Sequence, residues 1–108
     1  MFDLATLDIA RLDASAAQAA RLLRTLGNER RLMILCRLAD GERSVGELQP
    51  LVGLSQSALS QHLAVLREEE VVATRREGQT VRYRVAAPAA VKVLATLAEI
   101  FCPTDTGT

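Results

Sequence analysis

A two-residue turn between two capped helices constrains this chain more than any other feature. Ser44 is followed three residues later by Glu47, the spacing at which each side chain serves the other's backbone and opens a helix. That helix runs out at Val52-Gly53, because glycine takes the left-handed conformation that ends helices at little cost. Ser55 then caps a second helix, predicted to reach about Glu69, so only Gly53-Leu54 separates the pair. So short a link forces the two to cross steeply, as a helix-turn-helix does. From Val71 to Val85 the apolar period becomes two. Val72 and Thr74 alternate with Ala73 and Arg75, and Val81, Tyr83 and Val85 alternate with Arg82 and Arg84. Glu77-Gly78-Gln79 supplies the turn of a two-stranded hairpin expected to have a basic face.

The flanking segments read as helices. Asp13 or Ser15 caps a first helix reaching about Leu26, with Ala16, Ala20, Leu23 and Leu26 on one stripe. Gly27 ends it, and Asn28 caps Glu29 to Ala39, which stops at Asp40-Gly41. There Leu32, Leu35, Cys36 and Ala39 form the expected inner stripe. Pro88 starts a last helix to about Phe101, and Pro103 opens a tail, Thr104 to Thr108, expected to be disordered. The order is four helices, a hairpin and a fifth helix. This is a mainly α fold with a small β-hairpin, a winged helix-turn-helix, with residues 1–103 as one domain.

The hairpin's arginines give that order a use. The chain of 108 residues carries no formal net charge, so bulk electrostatics make no case for nucleic acid. Distribution does: twelve of the thirteen basic residues are arginine, and Arg75, Arg76, Arg82 and Arg84 fall in the hairpin. On the preceding helix Leu59, Leu63 and Leu66 turn inward, while Ser55, Gln56, Ser57, Ser60 and Gln61 face out. Glutamine pairs with adenine in two places, and the hydroxyls and Arg67 suit phosphates. Any surface helix carries Ser and Gln, and strand arginines are commonly just solvated; Glu68, Glu69, Glu70 and Glu77 also offset them. The succession of parts joins the two features, with a helix for the major groove and arginines for phosphates or the minor groove. Double-stranded DNA is the expected partner.

The last helix points to a second copy. Its polar side chains, Lys92, Thr96 and Glu99, fall on one stripe, and the rest is apolar. A domain this small, whose aromatics are only Phe2, Tyr83 and Phe101, has an aliphatic core too limited to cover that surface. A homodimer through the terminal helices is the expected solution. No metal or cofactor is expected: the third helix reads VGELQPLV and the last offers only Lys92 and Glu99. His62, the sole histidine, is expected to pack or to meet a phosphate. Met1 to Leu12 carries Asp3 and Asp8, unlike a signal peptide, and no run approaches the ~18 apolar residues of a membrane span. A cytoplasmic location, with reduced thiols, is expected.

From about Leu22 to Val85 the sequence resembles the ArsR-type winged-helix repressors. The resemblance rests on LRTLGNERRLMILCRLADGE, SVGELQPLVGLSQSALSQHLAVLRE and RREGQTVRYRV. It implies a homodimer that binds an imperfect palindrome and leaves DNA when an inducer binds. Glu70 departs from the pattern, since relatives usually end the second helix of the pair with Gly. A positive φ there would cost about 1 kcal/mol.

Cys36 and Cys102 leave two readings open on spacing alone, a pair of small packed side chains or a reactive pair. Their placement resembles the sulfane-sulfur-responsive branch of the family, which includes the repressors called BigR and SqrR. That likeness implies a redox switch in which Cys36 and Cys102 are joined by oxidation or by a persulfide-derived sulfur bridge, with reactive sulfur species as inducer. Arg37, beside Cys36, is placed to favour the thiolate. The alternatives are a repressor with inert cysteines and another ligand, a module that binds only protein, and a thiol oxidoreductase. An enzyme is not expected, because such enzymes place cysteines as Cys-x-x-Cys at a helix start.

Overall fold

Short polar side chains at unpaired backbone ends set the helix boundaries. The computed structural model describes residues 7–102. It contains α1 (Ile9–Ala14), α2 (Ala16–Leu26), α3 (Glu29–Leu38), β1 (Arg43–Ser44), α4 (Val45–Val52), α5 (Gln56–Glu68), β2 (Val72–Glu77), β3 (Thr80–Val85) and α6 (Pro88–Phe101). Asn28 Oδ1 accepts the N–H groups of Arg30 and Arg31 at 3.0 and 3.1 Å and so opens α3. At α4 the reciprocal box is complete: Ser44 Oγ accepts from Glu47 N–H at 3.2 Å, and Glu47 Oε1 from Ser44 N–H at 2.9 Å. Gly53 closes α4 in the left-handed conformation, with φ 67°. The expected tail, Thr104 to Thr108, lies outside the described residues.

Four expectations need correction. The first helix is two helices: Asp8 caps α1 through Arg11 N–H at 3.1 Å, Asp13 lies inside α1, and Ser15 breaks the chain without a side-chain cap bond. On α2 the packed ridge is Leu22, Thr25 and Leu26, and Leu23 is left 60% exposed. On α3 the core takes Ile34, Leu35 and Leu38, while Cys36 and Ala39 are exposed. In both helices two apolar stripes run side by side, and the one meeting the α4–α5 pair wins. The sheet also gains a strand. β1 joins the hairpin in the order β1-β3-β2, with Arg43 opposite Tyr83 and Ser44 opposite Arg82.

Leu26, Ile34, Leu35, Leu38, Leu48, Val52, Leu59, Leu63, Leu66, Val71, Val72 and Ala90 make the core. It is aliphatic, with Tyr83 packed at its edge. Leu59, Leu63 and Leu66 are buried in that core, and losing their close packing would be costly, so they fix the rotation of α5 about its own axis. Among the described residues no helix is long and apolar enough to cross a membrane.

Candidate nucleic-acid interface and the cysteine groove

With its leucines committed inward, α5 must present the opposite face. Gln56, Ser57, Ser60, Gln61 and Arg67 are exposed there, His62 is half-buried, and Ser55 stands at the helix start. Ser55 Oγ accepts Ala58 N–H at 3.1 Å, so its own hydroxyl proton stays available to an acceptor. Ser60 stands one turn after Gln56, and Gln61 one turn after Ser57, on adjacent i,i+4 ridges. At 1.5 Å rise per residue this polar strip spans about 7.5 Å, roughly two base steps.

The hairpin does not hold its four arginines on one face. Arg75 lies opposite Arg82 in the ladder and shares its side with Arg84, whereas Arg76 lies opposite Val81, on the side of Tyr83. Arg75 and Arg82 are also engaged. Arg75 donates through Nε and Nη2 to Glu42, the shortest contact being 2.7 Å. Arg82 donates from Nε to Glu77 at 2.8 Å and from Nη1 to Glu47 at 3.0 Å. Its hydrogen bond to Arg75 holds the Glu42 carboxyl below the usual range, with added pull from Arg84 and Arg82. Glu47 is lowered first by the Ser44 N–H and then by Arg82, and Glu77 by Arg82. Arg76 and Arg84 are exposed and form no ion pair among the described residues.

Sequence reasoning missed Glu42 and Glu47 as partners of these arginines, and it missed a tie between α2 and α5. Arg21 donates from Nε and Nη2 to the two Glu69 oxygens at 2.5 and 3.0 Å. The two residues are 48 apart in sequence, so no local spacing could have signalled the contact.

Both thiols are free, and both are exposed in the single chain. Cys36 lines an apolar groove of about 610 Å3 whose far wall is Val91, Leu94, Ala95 and Ala98 of α6. Cys102 follows Ala98 by one turn on the same stripe, and its N–H still bonds the Ala98 carbonyl at 2.8 Å. Leu38 and Val85 also line the groove, and Arg84 and Glu42 bring it to the foot of the hairpin. Among the described residues no three His, Cys, Asp or Glu side chains are grouped to hold a metal ion.

Comparison with known proteins identifies the family and the fold. Residues 28–74 match the family described as bacterial regulatory protein, arsR family. The chain is 45% identical to the transcriptional activator HlyU of Vibrio cholerae, over 91% of each chain. It is 41% identical to the crystal structure of the transcriptional repressor BigR from Xylella fastidiosa, covering 89% of this chain and 98% of that one with a TM-score of 0.80 or better, namely 0.83. A third, the homodimeric winged helix-turn-helix DNA-binding domain of Mb0332 from Mycobacterium bovis, is 33% identical with a TM-score of 0.73, covering 91% and 89%. With family model, sequence relatives and fold all in agreement, the chain belongs to the ArsR family of DNA-binding transcriptional regulators, on the branch that includes BigR.

Proposed function

We propose that the chain is a homodimeric repressor that holds duplex DNA in its dithiol form and releases it when Cys36 and Cys102 are joined. In this reading α5 enters the major groove through Ser55, Gln56, Ser57, Ser60 and Gln61, with His62 and Arg67 toward the phosphates. The operator is an imperfect palindrome whose half-sites lie about 34 Å apart. Exposed apolar side chains on α1, α2 and α6 support the second copy: Ile9, Leu12, Leu23, Ile100 and Phe101 are each more than half exposed. The M. bovis relative is homodimeric, and BigR is a repressor.

One observation carries the switch. Cys36 opens onto a groove walled by the α6 stripe that ends at Cys102. Exposure of both sulfurs favours reaction over packing. A Cys36 thiolate attacks the outer sulfur of a hydropersulfide and expels the parent thiol, leaving Cys36 as a persulfide. The Cys102 thiolate then attacks the inner sulfur and expels hydrosulfide, so two electrons leave the cysteines and one disulfide forms. If Cys102 is persulfidated as well, the same displacement leaves a three-sulfur bridge and again releases hydrosulfide. Either bridge pins α3 to α6 and changes the separation of the two reading helices in the dimer.

Duplexes selected from a random pool in reducing buffer supply the operator. Fluorescence anisotropy then follows release by a low-molecular-weight hydropersulfide, and mass spectrometry reads the bridge. The wild type is expected to let go, and Cys36→Ser and Cys102→Ser to stay bound. Equal release of all three proteins would leave inert cysteines and a different inducer as the correct reading.

A further inference from the structure

The four hairpin arginines are unequal, and the inequality is set by Glu42, Glu47 and the turn residue Glu77, which also stands 3.9 Å from Arg75. Arg75 meets both oxygens of Glu42, with three N···O separations of 2.7 to 3.2 Å. This is the two-pronged geometry in which a guanidinium also takes a backbone phosphate. Arg82 is tied at both ends, to Glu77 and to Glu47. Glu47 in turn completes the cap of α4, so this second clamp is part of the helix boundary. Glu42 has no such duty. It lies in the turn before β1, and among the described residues its side chain hydrogen-bonds Arg75 alone.

We infer that Glu42 occupies the place of a DNA phosphate on Arg75, withholding that arginine so that Arg76 and Arg84 make the wing's contacts with the duplex. A carboxylate already seated on the fork must be displaced before a phosphate can use it, and the exchange swaps one charged partner for another with little gain. Among the described residues Arg76 and Arg84 form no ion pair, although Glu42 still attracts Arg84 from beyond contact distance. The wing is thereby held to fewer phosphates than its composition allows. A repressor built to let go of its operator gains from that restraint, because each phosphate contact deepens the salt-dependent part of binding.

The inference rests on the DNA-binding reading, and the test separates the two. Affinity for the selected operator duplex is measured across a salt series for wild type, Glu42→Gln, Glu42→Ala, Arg75→Ala, Arg76→Ala, Arg84→Ala and the double variant Glu42→Gln with Arg75→Ala. Freeing Arg75 in both copies is expected to tighten binding roughly tenfold in 0.1 M salt and to steepen the log–log salt slope by about 1.8. Arg75→Ala alone is expected to change affinity less than about twofold, whereas Arg76→Ala and Arg84→Ala each weaken it roughly tenfold. The double variant loses the gain. An unchanged slope in both Glu42 variants, a gain that survives the loss of Arg75, or an Arg75→Ala defect equal to that of Arg76→Ala overturns the inference. Should the Glu42 variants unfold, the three single arginine variants decide it. Wild-type protein that holds no duplex at all ends the DNA-binding reading itself.

Discussion

Glu70 is the non-glycine residue with a positive φ, 61°, among the described residues. It ends α5 in a paired-bond cap: Glu70 N–H bonds the Arg67 carbonyl at 3.0 Å and Val71 N–H bonds the Leu66 carbonyl at 2.9 Å. Leu66 and Val71, both buried, supply the apolar contact that goes with this cap. The side chain itself is exposed, so the cost of a Cβ at that φ is not recovered by packing. Glu70→Gly is expected to stabilise the fold by about 1 kcal/mol, raising Tm by roughly 4–8 °C in a thermal melt. A second outcome follows from Glu42, Glu47, Glu69 and Glu77, whose carboxyls all lie below the usual range because of arginine or backbone N–H partners. The unfolded chain therefore binds more protons in mild acid, and stability rises with pH there. It is fully present above the ordinary glutamate value of about 4.3 and lost as pH falls through the lowered ones. Melts at stepped pH should show Tm level near neutrality and falling below pH ~4.5; a flat profile to pH ~3 would show these pairs to be energetically idle.

Among the elements, what was legible in the sequence was what is local. Ser44 with Glu47, Asn28, Gly53 and Ser55 act on backbone within four residues, so their spacing sufficed. The rotation of α2 and α3 was not legible, since Leu23 and Leu22, or Cys36 and Ile34, serve two neighbouring stripes equally well until α4 and α5 arrive. β1 spans two residues, too few to show a period, and the Glu42–Arg75 tie crosses 33 residues. Arg31 belongs to the same hidden class. Its Nε donates to the Thr25 carbonyl at 2.6 Å and its Nη2 to the Arg24 carbonyl at 3.2 Å, satisfying the open end of α2. Arg31→Ala is expected to cost about 1 kcal/mol and to speed amide exchange in α2 more than in α5. Equal acceleration in both helices would mean that α2 is held by its apolar ridge alone.

For the molecule as a whole, the most exposed large apolar side chains, those at least half exposed, lie on the helices nearest the two ends of the fold. Leu23 and Ile100 are each 60% exposed, on α2 and α6. In the proposed dimer a charge at either position meets apolar surface without a partner. Leu23→Glu and Ile100→Glu are therefore expected to give monomers by light scattering. Their operator affinity should fall by about 100-fold or more as the linkage between half-sites is lost. Retained dimers in both variants would place the interface on another face.

The Arg21–Glu69 pair has a mechanical consequence. It fastens the rear of a 13-residue helix to the element that carries Leu23. Such a helix is about 20 Å long, so a pivot of ~10° at its fastened end sweeps the free tip by about 3.4 Å, one rung of the DNA ladder. In the proposed dimer on its operator, small adjustments where the copies meet would thus be magnified into a misfit of a whole rung at Gln56.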